Sequence, residues 1–115
     1  CEYNTDIPVG VSHDERDDVV APAYVWECGT GGFPPSGATF YDGEVFDGWQ
    51  GDLLVGNLAG RSLGRFEVDG HDVEQVGTLL GDRGWRVRDV TVGEDGYVYL
   101  VYDGDGGPLV RLVPE

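Results

Sequence analysis

Trp85-Arg86-Val87-Arg88-Asp89-Val90 sets two arginines two residues apart in a run that continues through Thr91-Val92. On a β-strand, side chains at i and i+2 leave the same face, so Arg86 and Arg88 are expected together, with Val87 and Asp89 on the other side. Two guanidinium forks held side by side suit bidentate capture of carboxylates, phosphates or a poly-anionic cofactor. The same pair also fits an exposed strand face whose arginines answer nearby carboxylates. The elements that position the pair bear on that choice.

The chain has 115 residues, which suits one small domain or a piece of a larger one, with room for a modest core. Its 22 acidic residues stand against 7 basic ones, all arginine, for a formal charge of −15. Such a load opposes binding to nucleic acid or anionic membranes. It also predicts self-repulsion that salt relieves. Abundant Asp and Glu without lysine suggests a salt-adapted, halophilic source; an ordinary acidic protein is the alternative. Cys1 and Cys28 are the only cysteines, so one disulfide is possible and a cysteine-rich zinc site is not. With Cys1 leading and no methionine anywhere, the chain reads as cut from something longer. No apolar run approaches the ~20 residues that span a bilayer, and no signal-peptide pattern opens the chain.

Residues 1 to 34 read as an irregular connector with one short β-prone run, Ala23-Tyr24-Val25-Trp26-Glu27. His13 beside Asp14 and Glu15, and the acidic stretch through Asp17 and Asp18, read as a solvated loop. A loose calcium surface is the weaker alternative, because the glycine turn and spaced glutamate of a dedicated loop are missing. Strands are then expected at Gly37 to Tyr41, Asp52 to Leu58, Ser62 to Val68 and Asp72 to Leu80, turning at Asp42-Gly43, Ala59-Gly60 and Asp69-Gly70. Short β-prone runs broken by such dipeptides are the signature of consecutive antiparallel hairpins. A second set follows: Arg86 to Val92, Tyr97 to Tyr102 and Leu109 to Val113. Asp103 and Asp105 are expected as solvated turn residues at the opposite end of the hairpin from the arginines.

The sets repeat. Leu63-Gly64-Arg65-Phe66 aligns with Leu109-Val110-Arg111-Leu112 at an offset of 109 − 63 = 46, and Gly51 with Gly96 at 96 − 51 = 45. A four-strand unit recurring at this period describes one blade of a β-propeller, with a generic antiparallel sandwich as the alternative. The fold expected is all-β, antiparallel four-stranded sheets forming about two blades of a six-bladed propeller: 35–83 and 84–115, after the connector 1–34. The innermost strand of the second unit would be Arg86 to Val92, placing the arginine pair at one end of the central channel. Trp26, Trp49 and Trp85 are expected to be buried between blades.

Three stretches carry a family resemblance: Trp49-Gln50-Gly51-Asp52-Leu53-Leu54-Val55-Gly56-Asn57-Leu58-Ala59-Gly60, Leu63-Gly64-Arg65-Phe66-Glu67-Val68-Asp69-Gly70, and Trp85 to Val90 followed by Glu94-Asp95-Gly96-Tyr97-Val98-Tyr99-Leu100. Together they resemble the C-terminal part of soluble PQQ-dependent aldose sugar dehydrogenases, the glucose/sorbosone dehydrogenase family. Tyr24-Val25-Trp26 and Pro35 to Tyr41 fit the region just upstream. The resemblance implies a six-bladed propeller that binds pyrroloquinoline quinone (PQQ) at the top of its channel, usually with calcium beside it. It implies oxidation of an aldose at C1 by hydride transfer to the quinone, with a histidine as base, in an extracytoplasmic setting. Arg86 and Arg88 match the arginine pair that contacts the tricarboxylated cofactor, and Asp89 would anchor the strand or orient an arginine.

Three departures are visible. Neither His13 nor His71 lies in the context of the catalytic histidine, and the calcium ligands belong to earlier blades. Ala59 stands where some members carry a cofactor-contacting lysine. The loop from Cys28 to Phe33 is longer and richer in glycine than its counterpart. The chain therefore reads as a fragment that contributes cofactor-binding arginines to a sugar oxidoreductase and is inactive alone. The alternative is a non-catalytic, propeller-derived binding module. Exposed blade edges predict self-association, or an N-terminal strand folded onto the last blade.

Overall fold

A computed structural model describes residues 9–27 and 34–115. Among the described residues, apart from a single 3₁₀ turn at His13–Glu15, the regular structure is strand: β1 Pro35–Phe40, β2 Leu53–Asn57, β3 Ser62–Asp69, β4 Asp72–Leu79, β5 Val87–Val92, β6 Val98–Tyr102 and β7 Leu109–Leu112. The first four form one antiparallel sheet in the order β1-β2-β3-β4, and the last three form a second in the order β5-β6-β7. The expectation of consecutive antiparallel hairpins is met. The second sheet has three strands among the described residues rather than four.

The turns at Ala59-Gly60 and Asp69-Gly70 form where expected, whereas Asp42-Gly43 opens a longer connection that runs from the end of β1 at Phe40 to the start of β2 at Leu53. Asp69 pairs with Asp72, leaving Gly70 and His71 as a two-residue hairpin loop, and Gly70 takes φ +60, which β-carbons disfavour. Ala23-Tyr24-Val25-Trp26-Glu27 is not a strand. Instead Tyr24 and Trp26 lay their rings edge-on to Phe66 of β3, with centroids 5.1 and 5.9 Å away. This run, expected as a short strand, thus packs its aromatic rings on the first sheet instead. The loop from Cys28 to Phe33 and the pairing of Cys1 with Cys28 lie outside the described residues.

The two sheets share one core. Tyr41, Leu54 and Leu63 from the first sheet meet Val87, Val90, Val98 and Leu100 from the second. β1 and β2 pack against β5, so the first strands of the two sheets lie together. They also run in the same direction. Ser36 Oγ at the start of β1 donates to the Val87 carbonyl at 2.7 Å, and beyond its far end Tyr41 Oη donates to Gly96 in the β5–β6 turn at 2.9 Å. Trp49 and Trp85 pack against this core and Trp26 against Phe66, yet all three are only half-buried, because each lies at a margin of the packed sheets.

Candidate functional site

The arginine pair lies at the end of β5 that begins the second sheet. The ladder there carries a bulge: Val87 pairs with Tyr102 and Asp89 with Val101, leaving Arg88 as the extra residue. The bulge corrects the expected alternation. Val87 and Val90 both enter the core, while Arg88 and Asp89 stay solvent-exposed, the Asp89 carboxyl lying beside Gly37 of β1, so Val87 and Asp89 do not share a buried face. Asp89 accepts the Val90 N–H through Oδ1 at 2.9 Å and anchors the bulged strand.

Both guanidinium groups converge on one carboxylate, Asp103. Arg86 Nε donates to Oδ2 at 3.2 Å; Arg88 donates from Nε to Oδ1 at 2.7 Å and from Nη2 to Oδ2 at 2.9 Å. Asp103 is therefore no free turn residue. The segment after β6 returns to the end where β5 starts, as the second strand of any antiparallel hairpin must, and the Asp103 N–H donates to the Arg86 carbonyl at 2.9 Å. Arg88 first, then Arg86, holds the Asp103 carboxyl below its ordinary range, and Asp103 in turn raises Arg88. Next to this knot Trp85 stacks on Tyr102, rings 4.4 Å apart and 3° from parallel. Arg83 lies 5.8 Å from the Trp85 ring.

The same end of the molecule gathers polar groups from the first sheet. Pairing of Pro35 with Asn57 and of Asn57 with Ser62 places Ser36, Asn57 and Ser62 at this end, with Asn57 and Ser62 buried. Asn57 Oδ1 accepts the Gly60 N–H at 2.8 Å and shapes the β2–β3 turn. That turn carries Ala59, followed by Arg61 at φ +51, a left-handed conformation uncommon for a side-chain-bearing residue.

His71 does not reach this end. His13 Nε2 lies 2.9 Å from Asp14, and His71 lines an open groove with Glu67, Asp69, Asp72 and Glu74 at the far end of β3. In the acidic N-terminal stretch Arg16 engages Asp18. Among the described residues no three His, Cys, Asp or Glu side chains converge to hold a metal ion. Sequence reasoning missed Asp103 as a member of the site. Its signal was present: counting the register outward from the Asp95-Gly96 turn brings Asp103 to the arginine end.

Two sheets whose first strands lie together, run the same way and share a core are arranged as neighbouring blades of a β-propeller are. The comparisons with known proteins agree. A sequence model of the Glucose / Sorbosone dehydrogenase family matches residues 1–111. The aldose sugar dehydrogenase YliI of Escherichia coli K12 is 36% identical over 106 residues, covering 89% of this chain and 28% of that protein. The uncharacterized protein slr1608 of Synechocystis is 36% identical over 113 residues, 96% of this chain and 26% of that one. Among solved structures, a glucose dehydrogenase superposes with TM-score 0.77 at 36% identity, over 89% of this chain and 29% of that chain. The apo-form of the soluble aldose sugar dehydrogenase from E. coli gives 0.66 at 38% identity, over 70% and 23%. The chain belongs to the glucose/sorbosone dehydrogenase family and spans about a quarter of the length of the curated relatives it matches.

Proposed function

We propose that this chain is the arginine-bearing sector of a PQQ-dependent aldose dehydrogenase, and that Arg86 and Arg88 hold carboxylates of the quinone cofactor. The observation that carries this reading is the gathering of both guanidinium groups onto one side of β5, at the end where the first strands of both blades begin. The donor set suits a planar, multiply anionic quinone, since arginine stays charged at any working pH and its fork matches a carboxylate. When bound, PQQ supplies the hydride acceptor for oxidation of the sugar at C1. The described residues of this sector bind and orient; the base and the calcium ligands are assigned to sectors of the parent outside this chain, so the chain alone is inactive.

Titration with PQQ at fixed ionic strength, of this chain and of the protein carried to the full length of its relatives, tests the reading. Arg86→Ala and Arg88→Ala are each expected to weaken binding by roughly tenfold or more, as loss of a hydrogen bond from a charged donor implies. In the full-length protein with PQQ and calcium, aldose-dependent dye reduction should fall with it. Unchanged PQQ affinity in both variants would rule the assignment out. One observation favours a second reading, a non-catalytic module: the arginines already have an internal partner in Asp103. On that reading both substitutions leave cofactor affinity untouched.

A further inference from the structure

Asp103 looks at first like a competitor for any anion the arginines would bind. The geometry points to the opposite: we infer that Asp103 is a positioning residue, which grips both guanidinium groups on their Nε sides so that their outer Nη groups form one receiver for paired carboxylates. This rests on the reading of Arg86 and Arg88 as ligand-binding residues.

Three observations carry it. First, the contacts are edge-on. Arg86 uses only Nε, and Arg88 uses Nε and Nη2. A guanidinium has five N–H donors, so the pair starts with ten; three go to Asp103 and seven remain, all but one of them on nitrogens that Asp103 does not touch. Second, Asp103 is built into the sheet. Its N–H is bonded to the Arg86 carbonyl, and its neighbour Tyr102 both pairs with Val87 and stacks on Trp85. An arriving ligand therefore meets a fixed carboxylate rather than a loose one that swings aside. Third, the charges leave a surplus: two guanidinium groups and one carboxylate sum to +1, still attractive to an anion in a chain of net charge −15. Without Asp103 two like charges would repel across a short gap, and two long, half-exposed side chains would wander among rotamers.

The competing and positioning roles predict opposite signs for one substitution. Asp103→Asn makes the site more positive by one unit while weakening the grip on Arg88. A carboxylate that merely competes would then yield tighter anion binding. A positioning carboxylate yields weaker binding, expected at roughly tenfold. The probes are PQQ and benzene-1,2,3-tricarboxylate, a planar tricarboxylate without the quinone, titrated into the 115-residue chain and its Asp103→Asn and Asp103→Ala variants. A second readout, independent of binding, is the Nε–Hε signals of Arg86 and Arg88 in ¹H–¹⁵N spectra. They should be displaced and slow to exchange in the parent chain, and should move to the position of free arginine in Asp103→Ala.

Weaker binding together with collapsed signals supports the inference. Equal or tighter binding of both probes in Asp103→Asn overturns it, as does failure of the parent chain to bind either probe. Binding of the tricarboxylate but not PQQ, with the same dependence on Asp103, sustains the positioning role and removes the quinone reading, so the two failures are distinguishable.

Discussion

Asp52 and Arg65 show how much environment changes an arginine–carboxylate contact. Asp103 meets its arginines in open surroundings, whereas the Asp52 side chain is 8% exposed and lies 3.3 Å from Arg65 Nε, in a geometry short of a hydrogen bond. Burial pushes the Asp52 carboxyl up, Arg65 draws it back, and Glu67 adds to the rise. A carboxyl raised on folding contributes stability below its unfolded value of about 3.9, and that contribution is lost as pH rises through the folded value. At neutral pH the ionised Asp52 thus opposes folding, and Arg65, which also lies 5.3 Å over the Trp49 ring, offsets it. The pair should respond asymmetrically in urea unfolding at pH 7. Arg65→Met strands a buried charge and is expected to destabilise by about 3 kcal/mol, while Asp52→Asn stays within about 1 kcal/mol of the parent. Equal losses would contradict this account. None of this environment was legible in Asp52-Leu53-Leu54, because burial of a strand-flanking carboxyl depends on the loop folded over it.

At the scale of elements, the relation between the two sheets rests on close approach. Gly37 of β1 faces Asp89 of β5, and a β-carbon on Gly37 would come within 3.0 Å of the Asp89 Cα and still nearer its carboxyl. Backbone cannot yield as a flexible side chain can, so Gly37→Ala must push the first strands apart and disturb the bulge that presents Arg88. Thermal unfolding should show a loss of about 1–3 kcal/mol, the usual penalty for overpacking. A stability equal to the parent's would mean that the sheets are less tightly coupled than the Ser36–Val87 and Tyr41–Gly96 bonds imply. Tyr41 supports the far end: its buried hydroxyl donates to Gly96 and accepts the N–H groups of Val45 and Phe46 at 3.0 Å each. Alternation and turn dipeptides located the seven strands of the described residues to within a residue or two. They could not reveal the Val87–Asp89 bulge, since a bulge is a property of two paired strands.

Across the whole molecule, charge outweighs every other feature of the composition. With 22 acidic and 7 basic residues, added salt should screen self-repulsion, and we propose that the fold is adapted to high salt. The midpoint of thermal unfolding is expected to rise steadily from low to molar sodium chloride; a flat or falling curve would contradict the proposal. Leu109 at the start of β7 and Val113 just past its end leave apolar side chains exposed among the described residues. The family, the all-β class and the strand positions were all present in residue order, because periodicity, turn chemistry and motif strings are local, and so was the adjacency of Arg86 and Arg88 on one side of a strand. What only the tertiary structure decided was the partner of those arginines. Asp103 comes to them through strand pairing, Val87 turns inward through a bulge, and Tyr24 and Trp26 cover a sheet face instead of joining an edge. Each of these depends on which distant segment arrives beside it, and contacts between distant segments are set by packing rather than by local pattern.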